Sequence, residues 1–166
     1  MRFPLFSFST LLTGTLLISC GNSLLITPEI PTGGLNSKTP EEYPSYSGDG
    51  RYLAFASERK GHRDIYLYDL EEKRLVSLPN LNRKNSSQDQ PALNADGRYL
   101  VYVSTERGRA DVMIYDRNKQ RSTLLTANVR GSVRQPTITG DGSQVAFQTS
   151  QLGEWNIAIV DYQTSP

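Results

Sequence analysis

Three apolar runs stand out along the chain: YLAFAS at Tyr52–Ser57, YLVYVS at Tyr99–Ser104 and QVAFQT at Gln144–Thr149. Each is set behind an Asp-Gly pair and is followed, after a short polar stretch, by a second run: DIYLYD, DVMIYD or NIAIVD. Runs of this length bounded by Gly, Asp and Ser predict β-strands. In the first two units they are largely apolar on both alternating faces, so they are predicted to be covered from above and below, as interior strands of a stack. The more polar segments Arg74–Leu78 and Arg121–Thr126 predict an outer strand that closes each of these units.

The units superpose on Asp49-Gly50, Asp96-Gly97 and Asp141-Gly142, without a gap over the following residues. Pro44, Pro91 and Pro136 lie ahead of the Asp; a glycine recurs at Gly61, Gly108 and Gly153; a short polar residue recurs at Asp64, Asp111 and Asn156; an aspartate closes the unit at Asp69, Asp116 and Asp161. The period is 47 residues and then 45, the mark of a repeat architecture in which one unit cannot bury its own faces. The Asp-Gly pair predicts a tight hairpin, with its positive φ angles, between Tyr43–Ser47 and Arg51–Ser57. Four antiparallel strands in about 45 residues, stacked face to face, make the blade of a β-propeller. The predicted class is all-β, with three four-stranded antiparallel repeats at about 43–79, 90–126 and 135–166.

The recurring D-G-x-x-[LV]-x-[FY]-x-[ST], with its upstream proline, loop glycine and closing aspartate, resembles the propeller repeat of the TolB family, a WD40-like or PD40 repeat. The resemblance runs from Tyr43 to about Thr164 and implies a propeller that binds other envelope proteins. Similar blades also occur beside peptidase domains, so the blade does not specify function. Three units stand here where TolB has six and an α/β domain ahead of them.

Propellers close with roughly four to eight blades around a channel, and an arc of three exposes blade faces. Two completions answer this: two chains join head to tail into a six-bladed ring, or a different protein covers the open faces. The homodimer is the expected one. Only YQTSP follows Asp161, short of an outer strand. Ser23–Thr27 (SLLIT) resembles Ser122–Thr126 (STLLT) and is a candidate for that strand, the alternative being that it belongs to a tether.

Ahead of the repeats, Arg2 precedes an uncharged stretch from Phe3 to Ser19, the pattern of an export signal. It ends in Leu17-Ile18-Ser19-Cys20-Gly21, which resembles the bacterial lipobox and implies cleavage before Cys20 and lipidation of that residue. Several acyl chains on one residue make a stable anchor. The expected organisation is a lipoprotein signal peptide (1–19), the lipidated Cys20 with a flexible Pro- and Gly-containing tether (20–42), and the repeats (43–166). The protein is expected to be exported and anchored to a bacterial membrane, facing the periplasm or the cell exterior. With 18 Lys and Arg against 17 Asp and Glu, it has no basic surplus for nucleic acid. A single cysteine excludes an internal disulfide framework or a cysteine zinc site.

Catalytic chemistry is sparse. The one histidine, His62, sits in a polar loop, and no Gly-x-Ser-x-Gly elbow accompanies it. The acids lack the clustering of a calcium loop, so neither metal nor cofactor is predicted. Asp49, Asp96 and Asp141 with their glycines are read as repeat turns, and Asp64, Asp111 and Asn156 as caps of the preceding loop. The units differ in the loops Glu58–Arg63, Glu106–Arg109 and Gln151–Trp155, where Trp155, His62, Arg63, Arg107 and Arg109 form the candidate interface. The predicted function is a lipid-anchored, non-catalytic interaction module for envelope proteins. The alternatives are a propeller that binds a small ligand or glycan, and an accessory subunit of an envelope hydrolase.

Overall fold

The computed structural model describes residues 34–163. Residues 1–19, Cys20 and the strand candidate Ser23–Thr27 lie outside the described residues. Three antiparallel sheets follow one another along the chain. The first holds β1 (Glu41–Tyr46), β2 (Tyr52–Ser57), β3 (Asp64–Asp69) and β4 (Arg74–Val76). The second holds β5 (Gln88–Leu93), β6 (Tyr99–Ser104), β7 (Asp111–Asp116) and β8 (Arg121–Leu124), and the third β9 (Val133–Ile138), β10 (Gln144–Thr149) and β11 (Asn156–Asp161). Strands pair in chain order within each sheet, so every sheet is one sequence unit and one blade. The third blade has three strands among the described residues rather than four, with β11 at its outer edge.

The central hairpins keep one register throughout: β2 pairs β3 from Tyr52 opposite Asp69 to Ser57 opposite Asp64, and the other two blades repeat it. The inner hairpins differ from expectation. A two-residue turn needs positive φ at both central positions, yet in the Asp-Gly pairs only Gly50, Gly97 and Gly142 have it, at 76°, 67° and 79°. The loop is wider, closed by Ser47 N–H donating to Tyr52 O (2.9 Å). The Asp carboxylate stitches it from within, accepting from the Ser47 hydroxyl and from Arg51 N–H in the first blade.

In the third blade Thr139 and Ser143 donate to Asp141 in the same way. These donors, the Thr139 hydroxyl first, hold the Asp141 carboxyl at about 2. The folded value lies below the unfolded one, so the stabilisation is full above the ordinary carboxylate range and is lost as pH falls through about 2. Thr139→Val should move the Asp141 midpoint upward in a carboxyl-carbon NMR titration. An unchanged midpoint would mean that the hydroxyl does not hold the charge.

The upstream prolines mark a bulge in every inner strand. Tyr43, Gln90 and Gln135, immediately before Pro44, Pro91 and Pro136, take φ of 53°, 52° and 50°, and the pairing with the next strand slips there. Proline has no N–H for the ladder, so the strand steps over it with one unpaired residue.

Two cores lie between the blades. Ile65 and Leu67 of the first blade pack on Leu93, Leu100, Tyr102 and Tyr115 of the second. Tyr99, Val101, Val112 and Ile114 on the opposite side of the second blade pack on Val133, Val145 and Phe147 of the third. Each fully buried aliphatic or aromatic side chain contributes roughly 1.5–3 kcal/mol, which is why the middle blade is apolar on both faces. The buried tyrosine hydroxyls are paired where they reach polar groups: Tyr115 donates to Pro79 O (2.7 Å) and Tyr102 meets Ser122 (2.8 Å).

Candidate functional site

Because strand direction alternates, the β2–β3 loop of each blade and the connections between blades emerge at the same end of the stack. The structure therefore brings the loops carrying His62, Arg63, Arg107, Arg109 and Trp155 to one face. The Asp-Gly turns sit at the opposite end, where neighbouring tips are tied: Asp49 N–H donates to Ala95 O and Ala95 N–H to Gly140 O, both at 2.9 Å.

The five candidate residues differ in what already holds them. The Arg63 side chain is largely buried and bridges two blades, 2.9 Å from Asp89 and in contact with Glu42. Those two acids raise its pKa against the desolvation that lowers it. Arg109 donates to Val129 O (2.9 Å) and Thr126 O (3.3 Å) and lies 3.1 Å from Asp111. Arg107 stands half-exposed, 3.6 Å from the other oxygen of Asp111. His62 Nδ1 lies 3.2 Å from Lys60 O, and Nε2 3.2 Å from Asp64. Trp155 is 44% exposed, with the Arg134 guanidinium 3.8 Å from its ring centroid. Arg63 and Arg109 thus staple loops to the blades, whereas Trp155 presents an aromatic face to solvent.

The two ends of the stack are unlike. At the first blade Leu53, Phe55 and Tyr66 are buried. The Arg59 guanidinium lies over the Phe55 and Tyr66 rings, at 5.1 and 4.6 Å from their centroids, a cation–π arrangement. It is fixed by Gly34 O (2.9 Å), Leu35 O (2.8 Å) and the Glu41 carboxylate (2.7 Å). Residues 34–40, expected in the tether, are therefore bound to the first blade, and β1 begins at Glu41.

At the third blade the end is open among the described residues. Ile157 and Ile159 are 68% and 64% exposed, although the residues in the same places of the second blade, Val112 and Ile114, are fully buried. The adjacent β10 is more polar than its counterpart, with Gln144 and Gln148 where β6 has Tyr99 and Val103. Gln148 is tied to Arg134 (2.8 Å) and Gln135 (2.7 Å). Beyond β11 no strand pairs among the described residues. Exposed blade faces are expected of an arc of three, but the sequence does not single out this one, because Ile157 and Ile159 obey the same pattern as buried residues; the signal that marks it is the switch to glutamine beside them.

Stacked antiparallel sheets of four, four and three described strands, with short loops at both ends and cores between neighbours, define a β-propeller arc. A family model for the PD40 or TolB beta propeller domain matches residues 33–166, and the chain belongs to that family. Among solved structures it is similar to TolB from Acinetobacter baumannii, at 22% identity and a TM-score of 0.61, over 76% of this chain and 31% of that one. It is also similar to a putative TolB from Agrobacterium tumefaciens, at 18% identity and a TM-score of 0.62, over 74% of this chain and 46% of that one. An oligogalacturonate lyase in complex with manganese aligns at 17% identity and a TM-score of 0.58, over 75% of this chain and 36% of that one. The chain thus spans less than half the length of each, and at these identities the likeness is one of fold. No curated protein matches it.

Proposed function

We propose that the chain is a non-catalytic binding module of the bacterial cell envelope, lipid-anchored through Cys20, which docks an envelope protein on the open end of its third blade. One observation carries the reading: Ile157 and Ile159 face solvent where Val112 and Ile114 are buried against a further blade. An apolar face of this kind, with an aromatic residue nearby and a strand edge that is unpaired among the described residues, is the chemistry of a protein interface. The unlike ends favour a different protein over the head-to-tail homodimer, because a second copy would have to displace Arg59 and residues 34–35 from the first blade before its own face could dock. Membership of the TolB propeller family supports the envelope setting, as does the lipobox-like sequence around Cys20.

A photo-crosslinking amino acid at position 159 of the full chain, in native cells, should give an adduct with a different protein. Ile157→Glu in the same chain should abolish it. An adduct of the chain with itself would assign the face to a second copy and overturn the reading, and so would the absence of any adduct.

A further inference from the structure

The repeats provide an internal control for one buried charge. Asp111 and Asp64 occupy the same position at the start of β7 and β3, and both are about as buried, at 2% and 3%. In the second blade one oxygen of the carboxylate is hydrogen-bonded, while the other, Asp111 Oδ2, is buried without a donor but faces a guanidinium. The Thr126 hydroxyl donates to Asp111 (2.9 Å), and Arg109 and Arg107 bring two guanidinium groups to 3.1 and 3.6 Å.

In the first blade an imidazole stands where the second has a hydroxyl and two guanidinium groups. Counting along the outer strands from Arg74 and Arg121, which pair with Asp69 and Asp116, places Pro79 where Thr126 stands. His62 and Lys60 replace Arg109 and Arg107. His62 Nε2 comes within 3.2 Å of Asp64, but out of line for a hydrogen bond, so that oxygen is buried without a donor. The backbone of Ile65, whose counterpart Val112 donates to Thr126, is taken up instead by Asn82 (2.9 and 2.8 Å). Burial raises its pKa accordingly. The Tyr66 hydroxyl nearby is likewise buried without a partner.

Asp64 itself is almost wholly buried, its side chain 4% exposed. It lines a cleft of about 520 Å³ between the β2–β3 loop, β4 and the connection to the second blade. Ile65, Leu75, Val76 and Leu78 make one side of the cleft apolar, and the ammonium groups of Lys60 and Lys84 belong to exposed side chains at its border. A buried carboxylate with an imidazole but no guanidinium beside it, an apolar wall and a cationic border are three separate demands on a ligand.

We propose that this cleft binds a small zwitterion with an apolar side chain, a free amino acid or the amino-terminal residue of a short peptide. Its ammonium meets Asp64 in the role that Thr126 and Arg109 play for Asp111. Its carboxylate faces Lys60 and Lys84, and its side chain lies on Leu75, Val76 and Leu78. The site is on the first blade and does not depend on the docking face of the third, so the two readings fail separately.

The test is calorimetric titration of the full chain with L-leucine and with leucyl-glycine. Saturable binding by at least one is expected, weakened about tenfold or more by Asp64→Asn, since a hydrogen bond to a charged group contributes roughly 1.5–3 kcal/mol. N-acetyl-leucine, which lacks the ammonium, should bind the unaltered chain at least tenfold more weakly, and this comparison holds even where the Asp64 variant fails to fold. Absence of binding by both probes overturns the proposal and leaves the cleft to water. Equal binding of leucine and N-acetyl-leucine overturns it too.

Discussion

Leu100→Ala should lower the free energy of unfolding by about 3–4 kcal/mol, read as a fall in the urea midpoint at constant slope. Leu100 is completely buried on the side of β6 that faces the first blade, among Leu67, Ile65, Leu93 and Tyr102. A stack of repeats is stabilised by neighbour contacts as much as by each unit. Truncation here removes methyl groups from an interface, and the strands on either side are tied into their own sheets and cannot close the void. A loss below about 1 kcal/mol would mean that the blades give way independently and that this core does not couple them.

The second large effect separates two glycines that look identical in the repeat. Gly97→Ala should be clearly more destabilising than Gly50→Ala, although both residues have positive φ. At Gly50 an added Cβ meets nothing within 4 Å, so the substitution carries only the cost of left-handed backbone, roughly 1–2 kcal/mol. At Gly97 the same atom would stand 2.6 Å from the Tyr52 ring. That ring cannot simply turn aside: the Arg117 guanidinium lies 4.2 Å from its centroid and itself donates to Gly97 O (2.8 Å). Overpacking adds roughly 1–3 kcal/mol. Equal midpoints for the two variants would show that the ring yields freely.

These cases show where sequence stops informing. The blades were legible because each unit reports the same offsets, and a central hairpin such as Tyr52 opposite Asp69 depends only on residues close in the chain. The prolines were visible as a spacing, but the left-handed residue before each of them follows from how the inner strand pairs, which periodicity does not encode. The turn was misjudged in width because a side chain, Asp49 or Asp141, completes it. Arg63 reads as an interface candidate because it is a charged loop residue, whereas its partners Glu42 and Asp89 come from two different blades. Arg59 drew no attention: its receptors Gly34 and Leu35 lie in a stretch whose composition reads as linker. Asp64 reads as a cap like Asp111, and the loss of a Thr126 equivalent and of both flanking arginines sets the two apart.

The Arg59 lid bears on what the chain can build. Modules that carry complementary surfaces at both ends go on adding copies until they close or grow into fibres. Under the proposed function, a stack whose described residues seal one end with Arg59 and expose the other would accept a neighbour without passing the contact along, a terminator of assembly rather than a link.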